Sequence, residues 1–282
     1  MAQLAEIESG MIHREVRGKV VLVTGAAGGL GAALCRRFAA AGARIAALDL
    51  DAEKLGELVA TLCATGVDAL ALPGDITDAD ACKAAVEATT AHFGALDGII
   101  NNAGISARSL LQDADPAVIR RVMEVNFFGA ANLTGAALAP IVARRGFIVA
   151  ISSVAGISPL TGRTAYAASK HALHGFFDSL RSEVEGAGVG VTLVCPSFIR
   201  TGIGTAATDG SGMPVSSPRI TYGGESSPEE VAECVFDAVA SGRKLLLPDA
   251  TARKAWWLSR LVPGLYARIM KQRMGAEFPG LL

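Results

Sequence analysis

Short, nearly continuous apolar runs alternate along the chain with longer stretches in which apolar residues recur every three or four positions. A continuous apolar run bounded by turn residues predicts a strand buried on both faces, whereas the longer spacing predicts an amphipathic helix. The predicted strands are 19–24, 43–49, 67–72, 96–101, 147–152, 190–195 and 244–248. The predicted helices are 32–41, 51–64, 78–93, 116–142 and 166–185. This alternation predicts an α/β fold, with a doubly wound parallel sheet of about seven strands and helices on both faces.

No internal repeat or linker divides the chain, so we expect one domain over 18–250. A polar N-terminal extension (1–17) precedes it, and a basic amphipathic helical tail (251–282) follows it. Within the domain, 202–226 interrupts the alternation with six glycines, and a loop of this length is typical of a substrate lid or a disordered segment. A helix should then restart at Ser227, which suits an N-cap within a capping box.

The tail carries an apolar stripe at helical spacing, with basic residues between and no acidic residue over 252–274. Pro263 is expected to divide the stripe into two helices. Such a segment packs across the substrate mouth or a subunit interface, or it lies on an anionic membrane. We favour packing. The apolar positions are Trp256, Trp257, Leu258, Leu261, Val262, Leu265, Tyr266, Ile269 and Met270.

Hydrophobic residues make up 51% of the 282 residues and charged residues 19%, which suits a large core covered on both sides. The net charge of -1 gives no electrostatic basis for nucleic acid binding. Residues 1–16 lack the apolar core of a secretory signal, and no continuous apolar run reaches the ~18 residues that span a bilayer. We therefore expect a soluble, cytoplasmic protein, with peripheral contact to the inner face of a membrane as the alternative for the tail.

The five cysteines are scattered and form no C-x-x-C pair, which is typical of buried thiols in a reducing compartment. The four histidines lack the spacing of metal ligands, so we predict no metal site. His171 and His174 flank Lys170, but their helical phase turns them away from Tyr166. We interpret these two as packing or interface residues.

A glycine-rich turn over 24–31 joins the first predicted strand to the first helix. Glycines let the backbone turn tightly and approach a pyrophosphate, which the N-terminus of the next helix attracts. One possible spacing runs through Gly25, Gly29 and Gly31, and the other through Gly25, Gly28 and Gly31. Either spacing predicts a dinucleotide site that includes Leu30.

Asp49 ends the second predicted strand, 24 residues after Gly25. A carboxylate there accepts hydrogen bonds from both adenosine ribose hydroxyls and repels a 2′-phosphate, or it is simply solvated at the strand end. Because Leu50 follows and no lysine or arginine occurs in 26–30, the pattern favours NAD(H) over NADP(H). Asp75, followed by Ile76, ends the third strand, where its carboxylate meets the adenine edge or caps a helix.

Tyr166 and Lys170 lie four residues apart in a predicted helix, so their side chains share one face. An ammonium beside a phenol favours the phenolate, which lowers the tyrosine pKa from about 10 toward neutral pH. The pair therefore predicts a proton donor and acceptor, although a surface helix pair has the same spacing.

Three further motifs complete a pattern: N-N-A-G at 101–104, Asn126, and the adjacent Ser152 and Ser153. With the glycine turn and Tyr166, they resemble the short-chain dehydrogenase/reductase family, in its compact branch of about 250 residues. The resemblance covers roughly 18–250 and implies a single-domain Rossmann-type fold. It selects the T-G-x-x-x-G-x-G spacing. It also implies a homo-oligomer, a dimer or a homotetramer, assembled through the helices of Asn126 and Tyr166.

The same resemblance implies a catalytic set of four residues. Ser153, which lies 13 residues before Tyr166, would hydrogen-bond the substrate oxygen. Tyr166 would take the alcohol proton in oxidation or return it in reduction. Lys170 would lower the tyrosine pKa and hold the nicotinamide ribose, and Asn126 would anchor a water that links Lys170 to solvent. Taken singly, Asn126 could instead satisfy backbone groups within its own helix, and the serines could be ordinary residues at a strand end.

The residues expected to contact the cofactor are Gly25, Gly28, Gly29, Leu30, Gly31, Asp49, Leu50, Asp75, Ile76, Asn102, Ala103, Gly104, Tyr166, Lys170, Pro196, Ile199 and Thr201. The last three belong to C-P-S-F-I-R-T at 195–201, which resembles the family's P-G-x-V-x-T. Ser197 replaces the usual glycine there, and a serine restricts the backbone more than glycine does.

The candidate pocket walls are mostly apolar: Ser106, Ala107, 160–162, Phe198, Ile203 and the loop 202–226. Arg108, Arg163 and Arg200 are interpreted as isolated charges that face solvent, so no cluster would bind a phosphate or carboxylate. A lipophilic alcohol, ketone or aldehyde is therefore the favoured substrate, and an NAD(H)-dependent dehydrogenase is the favoured function. The alternatives are an NADP-linked ketoreductase and a non-catalytic protein that senses a dinucleotide.

Overall fold

The computed structural model describes residues 14–202, 206–215, 221, 223–274 and 277–278. Within them, seven parallel strands form one sheet in the order β3-β2-β1-β4-β5-β6-β7. The strands are β1 Val20–Thr24, β2 Arg44–Asp49, β3 Ala69–Pro73, β4 Gly98–Asn101, β5 Phe147–Ile151, β6 Gly190–Val194 and β7 Leu245–Leu246. The predicted doubly wound parallel sheet is confirmed.

Strand β1 occupies the centre of the sheet, and its residue Val21 pairs with Ile45 of β2 on one side and with Gly98 of β4 on the other. The chain winds outward from β1 in both directions, so the strand order reverses between β1 and β4. Connections leave this point to opposite faces of the sheet, which opens a crevice beyond the carboxyl ends of the strands. We therefore expect the ligand to bind at the carboxyl ends of the strands, at the boundary between β1 and β4.

Nine α-helices are described. They are α1 Gly29–Ala40, α2 Ala52–Ala64, α3 Ala79–Phe93, α4 Pro116–Met123, α5 Gly129–Ala143, α6 Thr164–Val184, α7 Pro228–Ala240, α8 Ala250–Leu261 and α9 Pro263–Met274. Helix α1 begins three residues earlier than predicted, so the end of the glycine-rich turn is already helical.

Side-chain caps fix several helix starts. Asp51 accepts a hydrogen bond from Lys54 N and caps α2, and Asp78 caps α3. Ser227 and Glu230 form the predicted reciprocal capping box at the start of α7.

Two apolar layers cover the sheet, one on each face. On one face, α1 and α7 pack around Phe38 and Val235, both fully buried. On the other face, α3, α5 and α6 pack around Leu133, Ile141 and Phe177, which are also fully buried. These layers account for the strands being apolar on both sides.

The predicted helix 116–142 is not regular. Residues Glu124–Phe128 form a π-helical turn between α4 and α5, and this turn carries Asn126. No proline or glycine in E-V-N-F-F marks the irregularity, so the hydrophobic period alone predicts one straight helix. Such π turns inside α-helices are frequent at functional sites.

The helical stretch Pro116–Ala143 is long and apolar enough, by length and composition, to cross a membrane, although it contains no continuous apolar run of that length. Core helices satisfy the same criteria. The side chains of Leu133, Ala137 and Ile141 are fully buried in the layer on the sheet, and we interpret the stretch as a core helix.

The tail forms two helices, α8 and α9, that separate at Pro263. Helix α8 packs on the segment after β5, where Ser158 Oγ donates to Ala255 O at 3.2 Å and lies 2.9 Å from Ser259 Oγ. The apolar stripe is divided between two environments. Tyr266 is 4% exposed, whereas the exposed fractions rise to 57% at Trp257, 70% at Leu261, 47% at Val262 and 45% at Leu265. Packing thus explains only part of the stripe.

Candidate active site

A cavity of about 490 Å³ lies beyond the carboxyl ends of β1, β4, β5 and β6, where the strand order reverses. Its lining includes every residue predicted to contact the cofactor, from Gly25 to Thr201. Three of the four predicted catalytic residues, Ser153, Tyr166 and Lys170, also line it. The fold therefore places residues as far apart in the chain as Gly25 and Thr201, which are separated by 176 positions, in the wall of the same cavity.

The glycine turn is shaped by contacts that exclude larger side chains. Gly25 adopts φ +62°, a left-handed conformation that favours glycine, and a Cβ there would lie 2.8 Å from Ala103 Cα. A Cβ on Gly31 would overlap the carbonyl oxygen of Gly25. The turn can therefore lie this close to the N-N-A-G segment only because Gly25 lacks a side chain, and the first turn of α1 can pack on Gly25 only because Gly31 lacks one.

Thr24 holds the glycine turn against the segment after β4. Its Oγ1 accepts hydrogen bonds from Asn102 N and Ala103 N, each at 3.0 Å. The Asn102 side chain donates in return to the carbonyls of Thr24 at 2.9 Å and Gly25 at 3.1 Å. Both walls of the crevice are thereby fixed relative to each other before any ligand enters.

Asp49 is half-buried at the end of β2 and is not simply solvated. Its Oδ2 accepts from Ala27 N at 2.9 Å and its Oδ1 accepts from Asp51 N at 3.0 Å. Each carboxylate oxygen has a second lone pair that is directed away from the bond already made. Asp49 thus positions the glycine turn and can still accept hydrogen bonds from two hydroxyls.

Asp75 lies at the same end of the cavity and accepts a hydrogen bond from Thr77 N at 2.9 Å. This backbone hydrogen bond lowers the pKa of Asp75, so the residue is a carboxylate near neutral pH. It does not cap α3, because Asp78 occupies that position. Ile76 is 7% exposed and also lines the cavity.

Tyr166 and Lys170 lie one turn apart on α6, and Lys170 Nζ is 5.7 Å from the centre of the tyrosine ring. The lysine is 3% exposed, and its Nζ donates to the carbonyl of Ile151 at 2.9 Å. Burial lowers the pKa of Lys170 to about 8, because a low-dielectric environment disfavours the charged ammonium. This amine can therefore exchange a proton near neutral pH.

Asn126 reaches out of the π-helical turn and binds a neighbouring segment. Its Oδ1 accepts from Ile105 N at 2.8 Å, and its Nδ2 donates to Ile105 O at 3.0 Å and to Ser169 Oγ at 2.9 Å. These contacts run between elements and not within its own helix. Asn126 does not line the cavity, but its Oδ1 and Lys170 Nζ both lie beside Gly104, 3.1 Å and 3.5 Å from the position that a Cβ would take there.

Ser152 and Ser153 have different surroundings. Ser152 Oγ donates to the backbone carbonyl of Lys170 at 3.2 Å and lies 3.1 Å from His174 Nε2. Ser153 Oγ accepts from Ala155 N at 3.2 Å, which leaves its hydroxyl hydrogen able to serve as a donor. Both serines line the cavity, but the hydroxyl of Ser152 already donates to the backbone of Lys170, whereas Ser153 can donate its hydrogen to another acceptor.

Ser197, which stands where the family usually has glycine, makes two hydrogen bonds to one carboxylate. Its backbone N and its Oγ donate to Asp249 at 2.9 Å and 2.7 Å. Asp249 also caps α8 by accepting from Ala252 N. The loop 195–201 is therefore tied to the start of the tail, and Ser197 does not adopt a positive φ.

A sequence profile of the short chain dehydrogenase family matches residues 19–211. The chain belongs to the short-chain dehydrogenase/reductase family. The match confirms the resemblance found in the sequence. The members of this family are oxidoreductases.

Relatives of this short-chain dehydrogenase extend over nearly its whole length. It is 39% identical over 270 residues to dehydrogenase/reductase SDR family member 7B of Bos taurus, covering 93% of this chain and 83% of that protein. It is 38% identical over 269 residues to dehydrogenase/reductase SDR family protein 7-like of Anopheles gambiae, covering 92% and 84%.

A solved structure has the same architecture. A short-chain dehydrogenase/reductase from Burkholderia phymatum, crystallised in complex with NAD, superposes with a TM-score of 0.80 at 26% identity. The match covers 89% of this chain and 96% of that one.

The interpretation of Arg108 and Arg163 as solvent-facing charges is wrong. Each is 6% exposed, each lines the cavity, and both bind the carboxylate of Glu277. No local pattern predicts this cluster, because Glu277 is more than 110 positions from either arginine and lies in the tail. Arg200 is exposed, as expected.

The predicted pocket walls are only partly correct. Ser106, Leu160, Phe198 and Gly202 line the cavity, whereas Ala107 does not. Ile203 and part of the loop 202–226 lie outside the described residues. The described part of that loop docks at the cavity, where Thr208 exchanges backbone hydrogen bonds with the segment after β4. Two lining residues that the sequence did not single out are Lys54 and Arg121.

The described cysteines are unpaired, as expected, although Cys63 is exposed and not buried. Burial raises the pKa of Cys35 and Cys195 to about 12, so both thiols stay protonated and unreactive. Among the residues that the structure describes, no group of three His, Cys, Asp or Glu side chains is arranged to hold a metal ion.

Proposed function

We propose that this protein is an NAD(H)-dependent dehydrogenase/reductase that interconverts a lipophilic secondary alcohol and its ketone, or an alcohol and its aldehyde. One observation carries the proposal: a single cavity is lined at one end by the glycine turn and Asp49 and at the other by Tyr166 and Lys170. Bound NAD supplies the hydride acceptor or donor. The chain supplies orientation and a path for the proton.

The proton path begins at Tyr166, which would accept the alcohol proton in oxidation and return it in reduction. Lys170, with its pKa lowered to about 8 by burial, would stabilise the phenolate and hold the nicotinamide ribose. Ser153 would donate its hydroxyl hydrogen to the substrate oxygen. Asn126 would bind a water that connects Lys170 to solvent, a role supported by the position of Asn126 Oδ1 and Lys170 Nζ beside the same residue, Gly104.

The cofactor contacts proposed are the seventeen residues named from the sequence, all of which line the cavity. The glycine turn fits a pyrophosphate, because Gly25 and Gly31 leave the backbone uncovered at the N-terminus of α1. Asp49 fits the adenosine ribose, since each of its oxygens retains a lone pair.

A preference for NADP(H) is the competing proposal, and Lys54 favours it. This lysine lines the cavity at the adenosine end, where an ammonium can pair with a 2′-phosphate. However, its Nζ already binds Asp51 at 2.6 Å, and Asp49 would repel the phosphate. We therefore favour NAD(H).

The substrate class follows from the walls near Tyr166, which are largely apolar: Ile105, Val154, Leu160, Phe198, Ala206 and Ala207. Burying an apolar substrate there would contribute about 25 cal/mol for each Å² removed from water. The described part of the loop 202–226 would act as a lid over this end.

We further propose a cytoplasmic homo-oligomer, either a dimer or a tetramer. The exposed aromatic ring of Phe128, which is 44% exposed beside the Asn126 turn, supports an interface on these helices. Light scattering of the purified protein would count the subunits, and a monomer would refute this assembly.

We also propose that the tail makes peripheral contact with an anionic membrane. Its exposed apolar residues, Trp257, Leu261, Val262 and Leu265, lie among basic residues in a segment without acids.

A screen of secondary alcohols and ketones of increasing chain length, followed by nicotinamide absorbance, tests the main proposal. We expect turnover that favours long apolar substrates, and the Tyr166→Phe variant should bind NADH but lose turnover by at least about a hundredfold. If Tyr166→Phe keeps full activity, the proposed catalytic role is wrong. If the wild type binds NADH but turns over no substrate in the panel, a non-catalytic dinucleotide sensor becomes the better account.

A further inference from the structure

Two arginines and one glutamate form a buried ionic cluster at the edge of the cavity. Arg108 Nη1 lies 2.8 Å from Glu277 Oε1, and Arg163 Nη2 lies 2.9 Å from Oε1 and 3.0 Å from Oε2. The exposed fractions of the three side chains are 4%, 7% and 4%. Buried charges are stable only when they are paired in this way.

The three charges occupy different positions relative to the cavity. Arg108 and Arg163 line it, whereas Glu277 does not. The carboxylate therefore lies behind the guanidinium groups and binds them from the side away from the space. Without this carboxylate, the two guanidinium groups of the cavity wall would lose one counter-charge, and guanidinium groups bind carboxylates and phosphates strongly.

The segment of Glu277 is held in place by further contacts. The ring of Phe278 packs directly on Gly162, and its centre is 5.8 Å from the guanidinium carbon of Arg163. Arg163 also donates to the carbonyl of Gly162 at 3.0 Å. The glutamate is thus a built part of the site and not a mobile surface charge.

We infer that Glu277 is a specificity-determining residue: it pairs with Arg108 and Arg163 from behind, offsets one of their two positive charges, and so weakens the attraction of the cavity for anionic substrates relative to uncharged apolar ones. This inference rests on the proposed function for the substrate class. One residue of the tail would then determine how strongly the cavity discriminates against a substrate whose carboxylate lies near Arg108 and Arg163.

The test compares decanoate with 2-decanone, which have the same chain length and differ in charge. Binding is measured by calorimetry on the full chain in low salt with oxidised NAD, which cannot reduce the ketone. The wild type should bind 2-decanone better than decanoate. The Glu277→Gln variant should bind decanoate about tenfold more tightly, with 2-decanone changed less than about twofold.

Two control variants separate charge from loosening of the tail. Phe278→Ala weakens the same segment but keeps the carboxylate, so it should not gain affinity for decanoate. The double variant Glu277→Gln/Arg108→Gln should lose most of the gain. Should Glu277→Gln fail to fold, Glu277→Ala removes the same charge and should give the same gain.

The inference is overturned if Glu277→Gln binds decanoate no better than the wild type, or if Phe278→Ala gains as much. Because the readout is binding and not turnover, these results do not depend on the catalytic proposal. Loss of turnover in a substrate screen would refute the catalytic proposal alone.

Discussion

The amine of Lys170 donates a hydrogen bond to the backbone carbonyl of Ile151 at 2.9 Å, at a position where the lysine is 3% exposed. One neutral acceptor compensates only partly for the loss of water around an ammonium. Burial accordingly lowers the pKa of Lys170 from 10.5 to about 8. The buried lysine therefore lowers the stability of the folded state.

Because burial of the Lys170 ammonium destabilises the folded state, replacing this lysine by methionine should change the free energy of unfolding. A lowering of the lysine pKa from 10.5 to about 8 corresponds to about 3 kcal/mol of folding free energy near pH 7, where both states are protonated. After loss of the hydrogen bond to Ile151, we expect the variant to be about 1–2 kcal/mol more stable at pH 7, and inactive.

The sign of the pH dependence follows from proton counts. Between pH 8 and pH 10.5 the unfolded chain holds more protons on this lysine than the folded chain, so the residue's contribution to stability rises with pH. The advantage of Lys170→Met should therefore shrink between pH 7 and pH 9.5. Urea unfolding at both pH values measures this, and a variant that is less stable at pH 7 would refute it.

Gly31→Ala should disrupt the glycine turn, because its Cβ would overlap the carbonyl of Gly25. We expect a loss of about 1–3 kcal/mol in stability and a loss of at least about tenfold in NADH affinity. Gly56→Ala is the matched control, since it lies in α2 with no atom within 4 Å of the added Cβ, and it should be neutral or stabilising. NADH fluorescence and thermal unfolding provide the measurements. Equal effects of the two substitutions would contradict the assigned geometry.

Asp49→Ser should weaken NADH binding by about tenfold and narrow or reverse the preference for NADH over NADPH, because it removes an acceptor and a negative charge. Lys54→Ala tests the opposite preference, because it removes an ammonium that could pair with the 2′-phosphate of NADPH at the same end of the cavity. Fluorescence titration of both reduced cofactors decides the matter. If the wild type prefers NADPH and Lys54→Ala abolishes that preference, the assignment to NAD(H) is wrong.

Leu261→Ser should reduce binding to vesicles that contain phosphatidylglycerol, by about threefold or more, because Leu261 is 70% exposed on the basic tail. Leu111→Ser is the control, since Leu111 is 60% exposed outside the tail and should have no effect. Sedimentation with vesicles at low and high salt measures the binding. If the wild type does not sediment with these vesicles at low salt, the membrane proposal fails.

The sequence predicted the sheet well because its strands are apolar on both faces and are separated by strong turn residues. The residues expected to contact the cofactor all line the cavity, since the glycine turn, the N-N-A-G segment and the Tyr166 helix are each local motifs. The cluster of Arg108, Arg163 and Glu277 escaped prediction because an ion pair between distant segments leaves no periodic pattern. The π-helical turn at Asn126 escaped because its residues have ordinary helical spacing.

The two outer strands of the sheet differ from the inner ones in a way that bears on solubility. Strand β7 has only two residues, Leu245–Leu246, and β3 ends at Pro73, which has no amide hydrogen to donate. An outer strand with many unpaired amide and carbonyl groups is a template on which another chain can add a strand. A chain with 51% hydrophobic residues can aggregate by such strand addition. The shortness of β7 and the terminal proline of β3 limit the tendency of these edge strands to form intermolecular sheets.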